Sequence, residues 1–419
     1  MQTNITIEKC VYGGDGLGRL PDGRAVFVPF TLPGEQVAIE FSDEKGKFAR
    51  GRLLEVLDGS PKRVSPPCPH FGVCGGCHYQ MLAYEDQVQL KAAILQEQLE
   101  RLGGFSFSQA LEFTPSPHSF SYRNQVKFHP LSNGKLGYMS AEGNQLIPIQ
   151  TCLLPLQGIQ DSWPLIDIAE DQDLTRVTFR EDSRGEILAL LEGLDPEPPD
   201  LETELPISLA YKAKDSPRLF MLAGEDSLYF SLHGKDFLVS PESFFQVNQE
   251  VAEAMLKYVL DELPSTSIPE VLELYSGVGF FSRFLAERCL HLVTIESAPS
   301  ACYDFVDNLN AFDHVELYEG AVEEILPALV TNLPHPQLVL LDPPRSGLQS
   351  KARQALLSLA PEQIIYVSCD PSSLARDLKA FKAEGYELTN IHGFDMFPQT
   401  FHIEAIAVLK SNKKSQSQN

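Results

Sequence analysis

The 419-residue chain is 43% hydrophobic, carries a net charge of −24 and contains eight cysteines. That length exceeds a single compact core, so two or three domains are expected. No apolar run nears the roughly eighteen residues of a membrane helix, and the opening Met1–Thr6 lacks a leader. Eight scattered cysteines make no disulfide scaffold, so a reduced, cytoplasmic protein without a membrane partner is expected.

The first sixty residues read as short strands around tight turns. Thr6–Val11 alternates, Gly13, Gly14, Gly16 and Gly18 break the pattern, and Ala25–Val28, Gln36–Phe41 and Leu53–Leu57 follow. A five-stranded closed barrel of the oligonucleotide-binding kind is expected over residues 1–59. Arg19, Arg24, Lys45, Lys47, Arg50 and Arg52 fall near its turns, where they suit either phosphate contacts or an ordinary basic surface. Residues 1–80 balance nine basic against nine acidic groups, so all the excess negative charge lies beyond them. Between Asp161 and Glu204, fourteen acids stand against three arginines, a solvated acidic face. A nucleic-acid partner would have to meet a local surface elsewhere.

Cys68, Cys74 and Cys77 come next, with five and then two residues between them. Thiolates so crowded repel one another unless a metal or cluster neutralises them. The spacing alone leaves iron–sulfur and structural zinc both open. A helix follows, with Val88, Ala92, Leu95, Leu99 and Leu102 on one face and Gly103-Gly104 as its stop. Residues 60–240 then form a strand-rich α+β region, with strands at Arg123–Phe128, Thr175–Phe179 and Ile187–Leu191.

From about Pro241, over 241–419, the rhythm becomes strand and helix in alternation. Glu270–Leu274, His291–Ile295, Leu338–Leu341 and Ile364–Val367 are continuous apolar runs, the mark of parallel strands buried on both faces. An α/β fold of Rossmann type is expected here. The first strand runs into Tyr275-Ser276-Gly277-Val278-Gly279, a turn that lets a ligand approach the backbone. Position 282 is Ser, where a dinucleotide site wants glycine, and Glu296 ends the next strand, placed for ribose hydroxyls. Together with the acid preceding the glycines, this pattern favours S-adenosylmethionine (SAM). Asp342-Pro343-Pro344-Arg345-Ser346-Gly347 ends a further strand at the ligand crevice.

Cys369 likewise stands at a strand's carboxyl end, before Asp370-Pro371. With SAM nearby, such a thiol has a use: adding to C6 of a pyrimidine makes C5 nucleophilic. A base must later remove the C5 proton. Glu404, opening the apolar strand Ala405–Leu409, is the candidate, with His402 a weaker one.

In this order the motifs resemble the RNA uridine-C5 methyltransferases, in the 23S ribosomal RNA type with an iron–sulfur cluster and an N-terminal TRAM barrel. The resemblance rests on the cysteine loop, Phe244–Asn248, the Gly277/Gly279 turn, the motifs at 342 and 368, and Phe397–Glu404. It implies a [4Fe–4S] cluster on Cys68, Cys74, Cys77 and Cys152. It places Gln246, Tyr275, Gly277, Gly279, Glu296 and Asp342 at SAM, with Cys369 as nucleophile and Glu404 as proton acceptor. Phe280 departs from the pattern where many members have Asn, removing a polar cofactor contact. Asp370 stands where Asn is frequent, and Tyr275 where Phe is. The first cysteine gap of five is wider than in radical-SAM loops, which disfavours radical chemistry.

The implied reaction is SAM-dependent formation of 5-methyluridine, in ribosomal RNA ahead of transfer RNA, by a monomer. The target base must leave its stack to reach the thiol. Arg123 and Lys127 are the expected phosphate contacts and Phe244 the expected stacking ring. Cytosine-C5 methylation is the neighbouring alternative, disfavoured by Ser368 where those enzymes have proline. A non-catalytic, metal-containing RNA-binding factor is the alternative of another class.

Overall fold

The computed structural model describes residues 1–41, 46–166, 168, 173–199 and 205–412. Lys45 and residues 167, 169–172 and 200–204 of the acidic stretch lie outside them. Strands β1 (Gln2–Cys10), β2 (Asp15–Arg19), β3 (Ala25–Pro29), β4 (Gln36–Phe41) and β5 (Phe48–Asp58) close into a barrel in the order β1-β2-β3-β5-β4. Alternate residues such as Ile5, Ile7, Val26, Val28, Val37 and Ile39 fill its lumen. Of the glycines that break the pattern, Gly13 and Gly14 form the turn with φ 108° and 94°, while Gly16 and Gly18 lie within β2. A Cβ at Gly16 would sit 2.1 Å from Thr31 Oγ1, so the missing side chain is what admits this strand.

Helix α1 (Tyr84–Gln98) continues into one π-helical turn, Leu99–Gly103, and stops at Gly104 with φ 68°. The short strand β6 (Phe113–Thr114) then leads to a central sheet. Its strands are β7 (Gln125–Pro130), β8 (Leu136–Met139), β9 (Leu146–Pro148), β10 (Leu174–Glu181), β11 (Ile187–Gly193), β12 (Ser208–Ala213) and β13 (Leu219–Ala223). They lie in the order β13-β12-β11-β10-β7-β8-β9. One face packs Val126, Phe128, Val177, Phe179 and Leu191 under Ile159 of α2 (Gln157–Ser162) and under Trp163. The other face is polar along β7 and β10, while its Leu188, Leu190 and Ala210 join the core of the last sheet.

A hairpin of β14 (Leu228–Leu232) and β15 (Lys235–Val239) and helix α3 (Gln249–Asp261) pack into the core of the last sheet. That sheet contains β16 (Ile268–Leu274), β17 (Cys289–Glu296), β18 (Val315–Glu319), β19 (Leu338–Leu341), β20 (Gln363–Ser368), β21 (Tyr386–Phe394) and β22 (Glu404–Ser411). The order is β18-β17-β16-β19-β20-β22-β21-β6, parallel from β18 to β20 and antiparallel around β22. Strands β16 and β19 are neighbours although β17 and β18 separate them in sequence. The sheet therefore reverses direction of winding there, opening a crevice at their carboxyl ends. Among the described residues no helix is long and apolar enough to cross a membrane.

The loop between β21 and β22 is gripped by the N-terminal half of the chain. Lys91 Nζ lies 2.6 Å from Asp395 Oδ1, with both side chains fully buried, and donates to the Phe397 carbonyl at 3.0 Å. The His78 and Tyr79 amides donate to the Gln399 carbonyl at 2.7 and 3.1 Å, and Tyr122 Oη to the Pro398 carbonyl at 3.0 Å. Gln87 bonds the Gln399 side chain at 2.9 Å, holding that residue at φ 69°. Replacing Lys91 by Met leaves a buried carboxylate unpaired. The expected loss is about 3–5 kcal/mol of unfolding free energy, read from urea titration; a loss below about 1 kcal/mol contradicts this account of the loop.

Candidate active site

The crevice at the β16/β19 reversal widens into a cavity of about 700 Å³, within the usual range for a small-molecule site. Five of its lining residues come from strand ends and the loops that follow them. Tyr275 and Gly277 extend β16, Glu296 ends β17, Asp342 follows β19 and Cys369 follows β20. Glu404 opens β22, and Gln246 enters from the segment before α3. The sequence-predicted residues thus converge, with one exception. Gly279 does not line the cavity. It holds φ 89°, and a Cβ there would fall 2.5 Å from Leu309 Cδ2, so this glycine serves packing against α5 (Pro299–Leu309).

Backbone amides fix Glu296. Gly277 N–H donates to its Oε2 at 2.8 Å, and the Ser297 and Ala298 amides donate to Oε1 at 2.7 and 2.8 Å. A carboxylate has about four acceptor positions, so one direction stays open to the cavity. Tyr275 takes φ 63°, an uncommon conformation for a side-chain-bearing residue, at the turn. The acid preceding the glycines, Glu273, points away from the cavity and accepts from the Ser282 hydroxyl at 2.6 Å. Burial pushes its carboxyl up to about 8. Its work is to tie the turn to the helix behind it. Gln246 is set by Asn124, whose side-chain amide donates to the Gln246 carbonyl at 2.9 Å. Phe280, in place of the familiar Asn, lines the cavity edge-on to Phe245 with centroids 6.1 Å apart.

The cavity is rich in acid. Glu242, Glu296, Glu323, Asp342 and Glu404 line it against the single guanidinium of Arg345. Burial, then Glu296, pushes Asp342 up to about 7. Burial, then Asp342, holds Glu404 well above the usual carboxyl range, with Arg345 opposing. The Cys369 thiol is pushed up to about 12 by burial, Glu404 and Asp342. Each group is therefore poised to ionise more readily when a cation enters. A sulfonium fits this donor set and a polyphosphate does not.

Three residues had no assigned role in the sequence reading. Arg345 faces the thiol and Glu404 and lies 3.3 Å from His402 Nδ1. Burial and this guanidinium push His402 down to about 3, which makes its imidazole a weak proton acceptor. Tyr12 of the barrel donates to Asp370 Oδ2 at 3.0 Å, while Oδ1 caps helix α8 (Pro371–Ala383) through Ser373 N–H at 2.7 Å. Phe397 lines the cavity beside them. Arg345 sits inside a quoted motif; Tyr12 carries no local signal, since its partner is over three hundred residues away.

Cys68, Cys74, Cys77 and Cys152 line a second cavity of about 850 Å³, and all four are free thiols. Burial pushes Cys74 up to about 11 and Cys77 to about 12. The Gly76 amide points at Cys74 Sγ at 3.3 Å, a bond that thiolate ligands of clusters use. The four thiols share one cavity, where a four-thiolate group would supply the positive charge they need to ionise. Among the described residues no group of three or more His, Cys, Asp or Glu side chains is placed to hold a metal ion. Arg123 precedes β7, half-buried on the wall of the 850 Å³ cavity, with its guanidinium over the Phe397 ring at 5.5 Å and Nε donating to Tyr122 Oη at 3.1 Å. Lys127 is exposed on β7 as expected.

Residues 227–412 match the family model described as tRNA (uracil-5-)-methyltransferase, and residues 3–54 match the TRAM domain. An uncharacterised RNA methyltransferase of Aquifex aeolicus is 34% identical over 426 residues, covering 97% of this chain and 98% of that protein. One of Synechocystis is 32% identical, covering 97% and 95%. A solved structure of Pyrococcus abyssi tRNA (uracil-54, C5)-methyltransferase with S-adenosyl-L-homocysteine is similar with TM-score 0.73 at 24% identity, covering 98% of this chain and 100% of that one. Relatives at least 30% identical span nearly the whole chain, and with the two family matches they show that this protein belongs to the SAM-dependent uracil-C5 RNA methyltransferases.

Proposed function

We propose that the enzyme methylates C5 of a uridine in RNA through a transient bond between Cys369 Sγ and C6 of the ring. The carrying observation is that the Cys369 thiol and the Glu404 carboxyl line one cavity with the cofactor-turn residues. The Cys369 thiol gives up its proton to solvent, the thiolate adds to C6, and the electron pair of the C5–C6 double bond moves towards O4, leaving C5 nucleophilic. SAM supplies the methyl group that C5 takes. Glu404, as carboxylate, then accepts the C5 proton, the C5–C6 double bond re-forms and the Cys369 sulfur leaves. Burial makes Glu404 a strong proton acceptor once it has ionised. Arg345 is placed to favour both the thiolate and the carboxylate.

In this reading Gln246, Tyr275, Gly277, Glu296 and Asp342 hold SAM, with Glu296 at the ribose. Phe244, exposed at the cavity mouth, stacks a base displaced from the RNA. In the same reading Cys68, Cys74, Cys77 and Cys152, which line one cavity, hold a [4Fe–4S] cluster. We divide the chain into 1–59, 60–240 and 241–419, with the β14–β15 hairpin and β6 of the middle part packed onto the last sheet. Ribosomal RNA is the first substrate reading, from the barrel and cysteine loop together. Transfer RNA is the second, supported by the family model and by the substrate of the similar Pyrococcus abyssi enzyme.

Two substitutions separate the proposed roles. Cys369→Ala is expected to bind SAM normally and form no 5-methyluridine, measured with labelled SAM and total RNA. Glu404→Gln is expected to slow turnover by about 10²–10⁴-fold and to accumulate a protein–RNA adduct stable in denaturing gels. Turnover by Cys369→Ala, or a Glu404→Gln enzyme as fast as the parent, overturns the scheme. For the thiol centre, anaerobically purified protein is expected to be brown, with a visible iron–sulfur band and about four iron atoms per chain. Colourless protein with one zinc rejects the cluster.

A further inference from the structure

The polar face of the central sheet has a charge opposite to that of the chain. Its core-facing residues, such as Val177 and Phe179, alternate with Arg176, Thr178 and Arg180 on the other side. Strand pairing sets Lys127 opposite Thr178, Arg176 opposite Glu192, and Glu192 opposite Lys212. Lys214 follows at the end of β12. These side chains line the 850 Å³ cavity, which counts six basic against three acidic residues in a chain of net charge −24. The neighbouring catalytic cavity counts five acids against one arginine. Glu242 and Phe244 line both, so the two cavities meet there.

Not every cation on this face is free. Arg176 pairs with Glu192 at 3.3 Å, and Lys212 with Glu242 at 2.5 Å. Arg180 is buried and donates to the Ser240 and Ser243 carbonyls at 3.3 and 2.8 Å, holding the segment that carries Phe244. Among the described residues Lys127 and Lys214 have no carboxylate within ion-pair distance. Partial desolvation and the adjacent Arg176 hold the Lys127 ammonium below its usual range, with Glu192 opposing. The barrel differs. Its Arg19, Arg24, Arg50 and Arg52 each pair with a barrel acid: Glu8, Asp22, Asp15 and Glu40.

We propose that this face of the central sheet carries the RNA strand flanking the target nucleotide, with backbone phosphates on Lys127 and Lys214. The inference rests on the RNA-uridine reading above and adds the route by which the strand reaches the thiol. Phosphates supply the anions the face lacks, and the junction at Phe244 lets one nucleotide pass from the basic cavity into the acidic one. The acidic lining beyond the junction repels further phosphates, so only the base and its sugar are drawn in.

The test compares two double variants that lose the same charge. Binding of a labelled, mixed-sequence single-stranded RNA is followed by fluorescence anisotropy across a salt series, with SAM binding by calorimetry as a measure of folding. Lys127→Ala/Lys214→Ala is expected to lower the slope of log K against log salt by about 1.4, two phosphates at about 0.7 each. Lys351→Ala/Lys379→Ala, on exposed positions of two helices outside both cavities, is expected to keep the parent slope. Equal slopes for the two double variants overturn the proposal. If the first variant loses SAM binding, Lys127→Gln and Lys214→Gln are measured singly, each expected to lower the slope by about 0.7. A parent enzyme that methylates uridine while these variants keep its full slope sinks this inference alone. One that binds RNA through the two lysines yet leaves uridine unmethylated sinks the reading above and spares this one.

Discussion

The grip of the N-terminal half on the Asp395–His402 loop is the constraint on which the site depends. The loop ends two residues before Glu404 and carries Phe397 into the cavity wall. Left to the last sheet alone, it is a turn between antiparallel strands β21 and β22, with Gln399 in an unfavourable backbone conformation. The Lys91–Asp395 pair, the bonds from His78 and Tyr79, and Gln87 hold it in one shape. A buried pair of this kind adds little net stability against a well-packed apolar alternative, and its use here is to select one loop geometry. Tyr12 extends the same grip to Asp370, beside the proposed nucleophile. Both proposed catalytic groups are thus held by side chains from the opposite end of the chain.

The cysteine loop belongs to this arrangement. Cys77 directly precedes His78, whose amide bonds Gln399 and whose ring lies edge-on to Phe401 at 4.6 Å. A four-thiolate group at Cys68, Cys74, Cys77 and Cys152 would therefore fix the segment that presses on the catalytic loop. Charge is partitioned on the same scale. Acid collects where a sulfonium belongs, and base collects on the adjoining sheet face, so the global −24 conceals two local fields of opposite sign.

Much of this was legible in sequence because the relevant signals are local. The apolar runs at 270–274, 291–295, 338–341, 364–367 and 405–409 are strands, and site residues at their ends follow from the sheet's geometry. Strand β2 was hidden because glycines leave no alternation to read. Strands β18 and β21 were hidden because polar residues interrupt their apolar ones. Gly279 looked like a cofactor contact because a glycine needed for packing carries the same letter as one needed for a ligand. The stacking of Arg123 on the Phe397 ring left no mark in the sequence, because that ring comes from the far end of the chain. Tyr12 and the Lys91–Asp395 pair were illegible for the same reason: long-range contacts leave no mark on either sequence neighbourhood.

The account turns on whether sulfur at position 369 bonds the pyrimidine. A uridine analogue with fluorine at C5 has no proton for Glu404 to remove, so a methylated adduct has no exit. Incubation of the enzyme with SAM and RNA containing 5-fluorouridine, followed by digestion and mass spectrometry, reads the linkage directly. The account predicts a methylated fluoropyrimidine attached to the peptide containing Cys369. Turnover without any adduct, or an adduct on another side chain, contradicts it.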